Sequence, residues 1–523
     1  MEPYARPPCP YGAACYRRNP QHRAEYSHPT SLGASSSTAP NRPQVAEVIE
    51  LGDTTEEDEP ALDQSPKRAR LADKCEDAAS NSLLSSLRRE REARHPPAST
   101  PALPLGFQLT KLNDAWVDAG LVSHAANTST IDLQAMLGPS ALQGATELQL
   151  HNYMIDLDYL VAECPAIRSV PRVVVVHGDG QAPDSLTARR DPERFVCIRP
   201  PCERYGTHHS KAIFVLRSHS LSVHVTTANF IKTDLENKTN ATWSAHFPAH
   251  VHASLPLSPS AAAVTETAAA PTAPDTPDAG FGADLFTYLS ALKACGMRPA
   301  ADWTPHQPGA WAAYELGWVA QYSYVGCTAR LIASIPGRHT GPQLDRWGHL
   351  RIRALLDAEA AARPSDALGS ECPLVMQFSS LSSPGTNTTW MSELRRSFCG
   401  SGAPPAIEVV FPTAAQVGEA LEGWVAGSSI PCDAQNAGRL RHILAELTPR
   451  GRLCKWDGGD GPHGGASGRL HALPHIKTYC RYRRSDRSLG WAIVASHNLS
   501  QAAWGKCEKK GQQREHGHCC YPA

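Results

Sequence analysis

At 523 residues the chain exceeds what one ordinary core organises, so two or more domains are expected. Lys plus Arg (50) nearly cancels Asp plus Glu (51), leaving a formal net charge of −1. That balance excludes a uniformly basic nucleic-acid binder, and any such contact has to come from a local basic cleft. Sixteen cysteines are present, but the N-terminus lacks the apolar core of a signal peptide, and no run approaches the roughly eighteen apolar residues that span a membrane. A reducing compartment and no membrane partner are expected.

Residues 1–30 are rich in Cys, His and Tyr. Cys9, Cys15, His22 and His28 are the residue types of a four-coordinate structural zinc site, and the Cys-x5-Cys and His-x5-His spacings allow tight chelating loops. So small a unit cannot be stabilised by apolar burial, so metal has to supply its folding free energy. The stretch CPYGAACYRRNPQHRAEYSHP (9–29) resembles the PBZ finger, a poly(ADP-ribose)-binding zinc finger. That resemblance implies ADP-ribose contacts from Tyr16 and Arg17, with Tyr11 as a further aromatic candidate, and makes poly(ADP-ribose) a partner that brings the protein to DNA breaks. Stacking on adenine and pairing with phosphate suit these side chains.

Residues 31–100 are dominated by Ser, Ala, Pro and charge and are expected to be a disordered linker. Within them Val48–Leu51, followed by acidic residues, resembles a SUMO-interacting motif, and Pro66-Lys-Arg-Ala-Arg70 is a candidate nuclear localisation signal.

From about residue 101, apolar runs alternate with helical patterns. Val173–Val176, Ala212–Leu216, Val223–Thr227, Leu331–Ile335, Val409–Phe411 and Ala492–Ala495 are expected to be buried strands, which points to an α/β architecture. A Pro/Ala/Thr-rich segment near 254–280 and a Gly-rich one at 458–468 are expected to be loops.

Of 23 histidines, only His209 and His475 are followed two places later by lysine, Lys211 and Lys477. Each pair opens an apolar run, and each is followed by a second run ending in asparagine, Asn229 or Asn498, 18 and 21 residues after the lysine. In a strand, residues i and i+2 share a face, so each His and Lys is expected to project together. Two lysines and two asparagines suit the nonbridging oxygens of a phosphate. One imidazole suits attack on phosphorus and the other protonation of the leaving oxygen, with no metal required.

These motifs resemble the phospholipase D superfamily, His-x-Lys-x4-Asp, although Leu216 and Tyr482 occupy the Asp positions. Within it the chain is most similar to the tyrosyl-DNA phosphodiesterases, through NYMIDLDYLV (152–161), VVVVHGD (173–179), YGTHHSK (205–211), SIPGRH (334–339), WGHLRI (347–352), QFSSL (377–381), PHIKTY (474–479) and NLSQAAWG (498–505). The resemblance implies two similar α-β-α sandwich domains, 101–325 and 326–523, with the active site at their interface, in a monomer acting on DNA 3′ ends in the nucleus. It makes His209 the nucleophile of a covalent phosphohistidine intermediate and His475 the general acid, then base. Lys211, Lys477, Asn229 and Asn498 would hold the phosphate. Asn240 stands where the family often carries a Gln supporting the nucleophilic His. Tyr205 matches an aromatic that stacks on a DNA base, and Ser379 and Ser380 match a loop near backbone phosphates. Eighteen residues follow Gly505, polar and without a strand pattern, where the family adds strands and a supporting glutamate. The alternative expectation is therefore a catalytically impaired poly(ADP-ribose)-binding adaptor.

Overall fold

The computed structural model describes residues 106–518 apart from 179–181, 201–206, 251–279, 296–313, 365–367, 382–388, 431–451, 458–464, 466 and 511–513. The finger residues Cys9, Tyr11, Cys15, Tyr16, Arg17, His22 and His28, the motifs at 48–51 and 66–70, and Tyr205 lie outside the described residues.

Two large sheets organise the described residues. The first contains β1 (Phe107–Leu109), β2 (Ala145–Asn152), β3 (Arg172–His177), β4 (Phe195–Ile198), β5 (Ala212–Arg217), β6 (Ser220–Thr226) and β7 (Ala241–Pro248), in the order β1-β7-β6-β5-β2-β3-β4. The second contains β8 (Leu374–Gln377), β9 (Ile407–Phe411), β10 (Arg452–Lys455), β11 (Thr478–Tyr482) and β12 (Leu489–Val494), in the order β10-β9-β8-β11-β12.

The valine run of β3 shows why these segments become central strands. Val173 and Val175 pack on one face with Leu148, Leu150, Ile213 and Val215. Val174 and Val176 pack on the other with Ile198 and Tyr314. A strand apolar at every position has to be covered on both sides: the helix Leu157–Glu163 contributes Leu157, Leu160 and Val161 to the first cluster, and Tyr314 with Leu316 closes the second. On β5 the intervening residues Ala212, Phe214 and Leu216 meet the helix Phe281–Cys295 through Phe281, Leu285, Leu289 and Leu292.

The two sheets repeat one topology. In the first, β2, β3 and β4 are mutually parallel, and β5 and β6 join antiparallel on the open side of β2. In the second, β8, β9 and β10 are parallel, and β11 and β12 join antiparallel on the open side of β8. The sequence repeat His-x-Lys–strand–turn–strand–Asn is thus one corner of a five-stranded repeat. The first sheet adds β7 and β1 beyond β6.

Two expectations are corrected. Leu331–Ile335 is not a strand. It runs extended between the cores, with Leu331, Ala333 and Ile335 in the first and Ile332 against the second, so its alternation is satisfied without a sheet neighbour. The tail after Gly505 is not without strands, since β13 (Lys506–Lys510) and β14 (Arg514–His518) form an antiparallel hairpin.

The domains meet where the chain entering β7 bridges the chain entering β11. Thr239 pairs with Pro474, and the Thr239 carbonyl accepts the backbone N–H groups of His475 (2.9 Å) and Ile476 (2.8 Å). Arg469, fully buried, donates to the carbonyl of Thr110 at 2.9 Å and also bonds the carbonyl of Ala126, tying the second domain to the start of the first.

The second core closes on Trp504, which meets Phe398 and Tyr479 edge-on and donates to the Tyr479 hydroxyl at 3.3 Å. Trp504→Ala is expected to cost about 3–5 kcal/mol, measured as a lowered urea midpoint.

Candidate active site

Both His-x-Lys pairs lie on the extended approach to a strand, one residue short of the ladder of β5 or β11, rather than inside it. The backbone still shares the hairpin geometry. The Lys211 carbonyl accepts the Thr226 N–H at 2.9 Å, and the Lys477 carbonyl accepts the Ala495 N–H at 3.0 Å. Each ammonium folds back toward the carbonyl of its own histidine, Lys211 Nζ to His209 at 3.3 Å and Lys477 Nζ to His475. Both lysines are buried, at 2% and 0% exposure. The Tyr153 ring lies beside the first pair, 5.3 Å from the His209 ring and 5.9 Å from Lys211 Nζ. Gly178 supports the same segment from below, where any side chain would collide with the His208 carbonyl.

The bridge at Thr239 carries first-domain groups to the second histidine. His475 Nδ1 lies 3.3 Å from Asn240 Oδ1 and 3.2 Å from Asp234 Oδ2. Asn240 is itself held: its Oδ1 accepts from the Thr227 hydroxyl (2.7 Å) and its Nδ2 donates to the Asp234 carbonyl (2.7 Å). Both neighbours of His475 Nδ1 are acceptors only, so that nitrogen carries the proton and Nε2 is left for the reacting centre.

The two asparagines are fixed by opposite ends. Asn229 donates its backbone N–H (3.0 Å) and its Nδ2 (2.8 Å) to Asp234. Asn498 instead accepts on Oδ1 from the Ser379 N–H (3.2 Å), the Ser379 hydroxyl (3.3 Å) and the Ser380 N–H (3.0 Å). Asn498 therefore keeps both amide hydrogens for an anion and Asn229 keeps one.

Electrostatics match this geometry. Burial, then repulsion by Lys211, pushes the Lys477 ammonium well below the usual lysine range. Burial and the cations Lys211 and Lys477 push His209 well below its ordinary value. Burial also lowers His475, but the Asp234 carboxylate opposes that shift. Burial alone would raise Asp234, yet His475 and Lys238 outweigh it and hold the carboxyl well below the carboxylate range. Two buried cations beside two polarised imidazoles make a receptor for an anion flanked by a nucleophile and an acid.

Comparison with known proteins gives the family. The family model described as tyrosyl-DNA phosphodiesterase matches residues 107–521. The chain belongs to the tyrosyl-DNA phosphodiesterase family. It is 31% identical over 398 residues to tyrosyl-DNA phosphodiesterase 1 of Arabidopsis thaliana, covering 74% of this chain and 57% of that protein, so it spans little more than half of that relative. It is 25% identical over 567 residues to the Drosophila melanogaster protein of the same name, covering 95% of this chain and 87% of that one. The crystal structure of yeast tyrosyl-DNA phosphodiesterase superposes with a TM-score of 0.51 at 15% identity, over 76% of this chain and 86% of that one, and shares the fold. Residues 6–31 match the PBZ domain.

Within this family frame, the structure shows what three of the sequence-predicted residues touch. Asn240 lies against His475 and not His209, because the Thr239 bridge delivers it there. Ser379, 1% exposed, and Ser380 turn their donors onto Asn498, which makes them positioning groups for that asparagine. Sequence reasoning missed Asp234, Lys238 and Tyr153. In the sequence KTDLENK, Asp234 resembles the solvated face of a short helix, and its i,i+4 spacing to Lys238 was the one available signal.

Histidines buried in neutral form make stability pH-dependent. His497 packs against Trp504 with ring centroids 4.6 Å apart, and burial lowers it to about 4. Its folded value lies below its unfolded one, so its contribution is complete above about pH 6.5 and is lost as the pH falls toward 4. His497→Phe is expected to reduce the loss of unfolding free energy between pH 7 and pH 5 by about 2 kcal/mol, measured by urea titration at both pH values.

Proposed function

We propose that this protein is a DNA-repair phosphodiesterase that hydrolyses 3′-phosphotyrosyl and related blocking adducts at DNA ends through a covalent phosphohistidine. The observation that carries the proposal is the convergence of both His-x-Lys pairs with unequal surroundings, cations about His209 and a carboxylate at His475. Lys211, Lys477, Asn229 and Asn498 grip the nonbridging oxygens. The lone pair of His209 attacks phosphorus, the bond from phosphorus to the tyrosyl oxygen breaks, and His475 gives its Nε2 proton to that oxygen. Neutral His475 then takes a proton from water, whose oxygen attacks phosphorus. The phosphorus–nitrogen bond breaks and leaves a 3′-phosphate. Charge neutralisation comes from the two ammonium groups, so the catalytic region acts without metal. The relatives' names and the 107–521 match support this activity.

Recruitment is assigned to the N-terminus. The PBZ match at 6–31 supports a zinc finger held by Cys9, Cys15, His22 and His28, two thiolate and two imidazole donors suited to tetrahedral zinc. Zinc would supply its folding energy, and Tyr11, Tyr16 and Arg17 would meet poly(ADP-ribose). Tyr205 is retained as a DNA-stacking residue, and a nuclear location and SUMO binding through 48–51 complete the proposal.

A 3′-phosphotyrosyl oligonucleotide is expected to be converted to the 3′-phosphate with chelator present, and His209→Ala to slow this more than about 10³-fold. A correctly folded wild type that leaves the substrate intact would remove the proposed activity. Cys15→Ala is expected to abolish retention on immobilised poly(ADP-ribose); unchanged retention would locate polymer binding elsewhere.

A further inference from the structure

Near two-fold repetition poses a chemical problem. Two histidines, each on the same corner of the same five-stranded unit, are asked to do different work, one attacking as a neutral base and the other arriving as an acid. Something has to make them unequal. Among the described residues the largest charged influences on His209 are all basic: Lys211, Lys477, His475 and His497.

His475 differs. It faces Lys477 from its own segment, Lys211 from the approach to β5, Lys238 from the approach to β7, and one carboxylate, Asp234, from the helix Lys232–Glu236. Asp234 is nearly fully buried, and four donors converge on it: the backbone and side-chain nitrogens of Asn229, Lys238 Nζ at 2.9 Å, and His475 Nδ1. Lys238 is in turn watched by Glu422 at 3.7 Å. At the matching place of the second half-site, five residues past Asn498, stands Ala503. There the asparagine is held by Ser379 and Ser380, and among the described residues no carboxylate bonds to it.

We propose that Asp234 is the positioning residue that makes the two half-sites unequal, holding a proton on His475 for the leaving group while turning one Asn229 amide hydrogen toward the phosphate. The inference rests on the phosphodiesterase reading above. Its physics is that of a buried carboxylate behind a general-acid histidine: the anion fixes the Nδ1–H tautomer and stabilises the imidazolium, without itself taking the proton. Asn229 Oδ1 is buried and has no hydrogen-bond partner. A carboxylate accepts only, so it forces Nδ2 inward to Asp234 and leaves that oxygen facing away, an amide orientation that a neutral partner would not impose.

The test compares leaving groups. Asp234→Asn keeps the size of the side chain and removes its charge. On a 3′-phosphotyrosyl oligonucleotide, whose tyrosyl oxygen needs a proton to depart, kcat/KM is expected to fall about 100-fold or more. On the 3′-p-nitrophenyl ester of the same oligonucleotide, which departs without one, the loss is expected to stay within about tenfold. The descending limb of the pH profile on the tyrosyl substrate should move to lower pH, because the charge favouring protonated His475 is gone. Equal losses on both substrates with an unmoved limb would overturn the proposal. Where Asp234→Asn does not fold because it strands the Lys238 ammonium, the pair Asp234→Asn with Lys238→Met removes that charge, and the same leaving-group contrast is expected. Ring nitrogen shifts of His475, assigned with His475→Asn, give a readout independent of turnover. Loss of the Nδ1 proton or a lower protonation midpoint in Asp234→Asn supports the role, and unchanged ring signals overturn it. A wild type that cleaves neither ester overturns the phosphodiesterase reading instead, while the ring signals still decide the part of Asp234.

Discussion

Two lysine ammonium groups buried at one interface are the constraint on which the rest of this structure turns. Each loses its hydration, and each repels the other, so the fold has to hold them against a standing penalty. It does so with backbone. Each ammonium meets the carbonyl of the histidine two residues before it, and each lysine's own carbonyl is taken by the second strand of its hairpin. The residual positive potential favours any anion that comes between the two ammonium groups. At Lys477 burial, then repulsion by Lys211, pushes the ammonium well below the usual lysine range.

Duplication provides this arrangement cheaply in topology. One five-stranded unit, used twice, presents the same corner from each copy. The copies are not equivalent at their edges. Among the described residues only the first sheet continues beyond β6, into β7 and β1, and the chain entering β7 is the segment that crosses to the chain entering β11. That crossing brings Asn240 and Asp234 to His475 and has no counterpart on the other side among the described residues. A structural addition to one copy therefore produces the chemical difference between two similar histidines.

The supporting groups also show how a site of this kind is made rigid. Asn229 is gripped by its nitrogen and Asn498 by its oxygen, and the groups that do so, a carboxylate in one case and two backbone N–H groups with a hydroxyl in the other, leave no freedom to flip. Rigidity of that sort fixes the direction in which each amide faces, so no reorganisation is needed to present it.

Much of this was legible in the amino-acid order alone. Valine at four consecutive positions, Val173–Val176, demands cover on both faces, and the His-x-Lys spacing with its downstream asparagine marks a repeated unit. These are local signals, set by side-chain period and by the chemistry of the residues themselves. The partner of Asn240 was not legible, because the sequence places it closer to His209 than to His475 and the interface reverses that. Leu331–Ile335 misled for a related reason: its alternation answers two separate cores, not two faces of a sheet. Sequence by itself determined the α/β fold class and the two half-sites as a repeated unit. Only the tertiary structure decided that Asp234, 241 residues before His475 in the chain, lies against it, since burial of a charge depends on what packs over it and no local pattern records that.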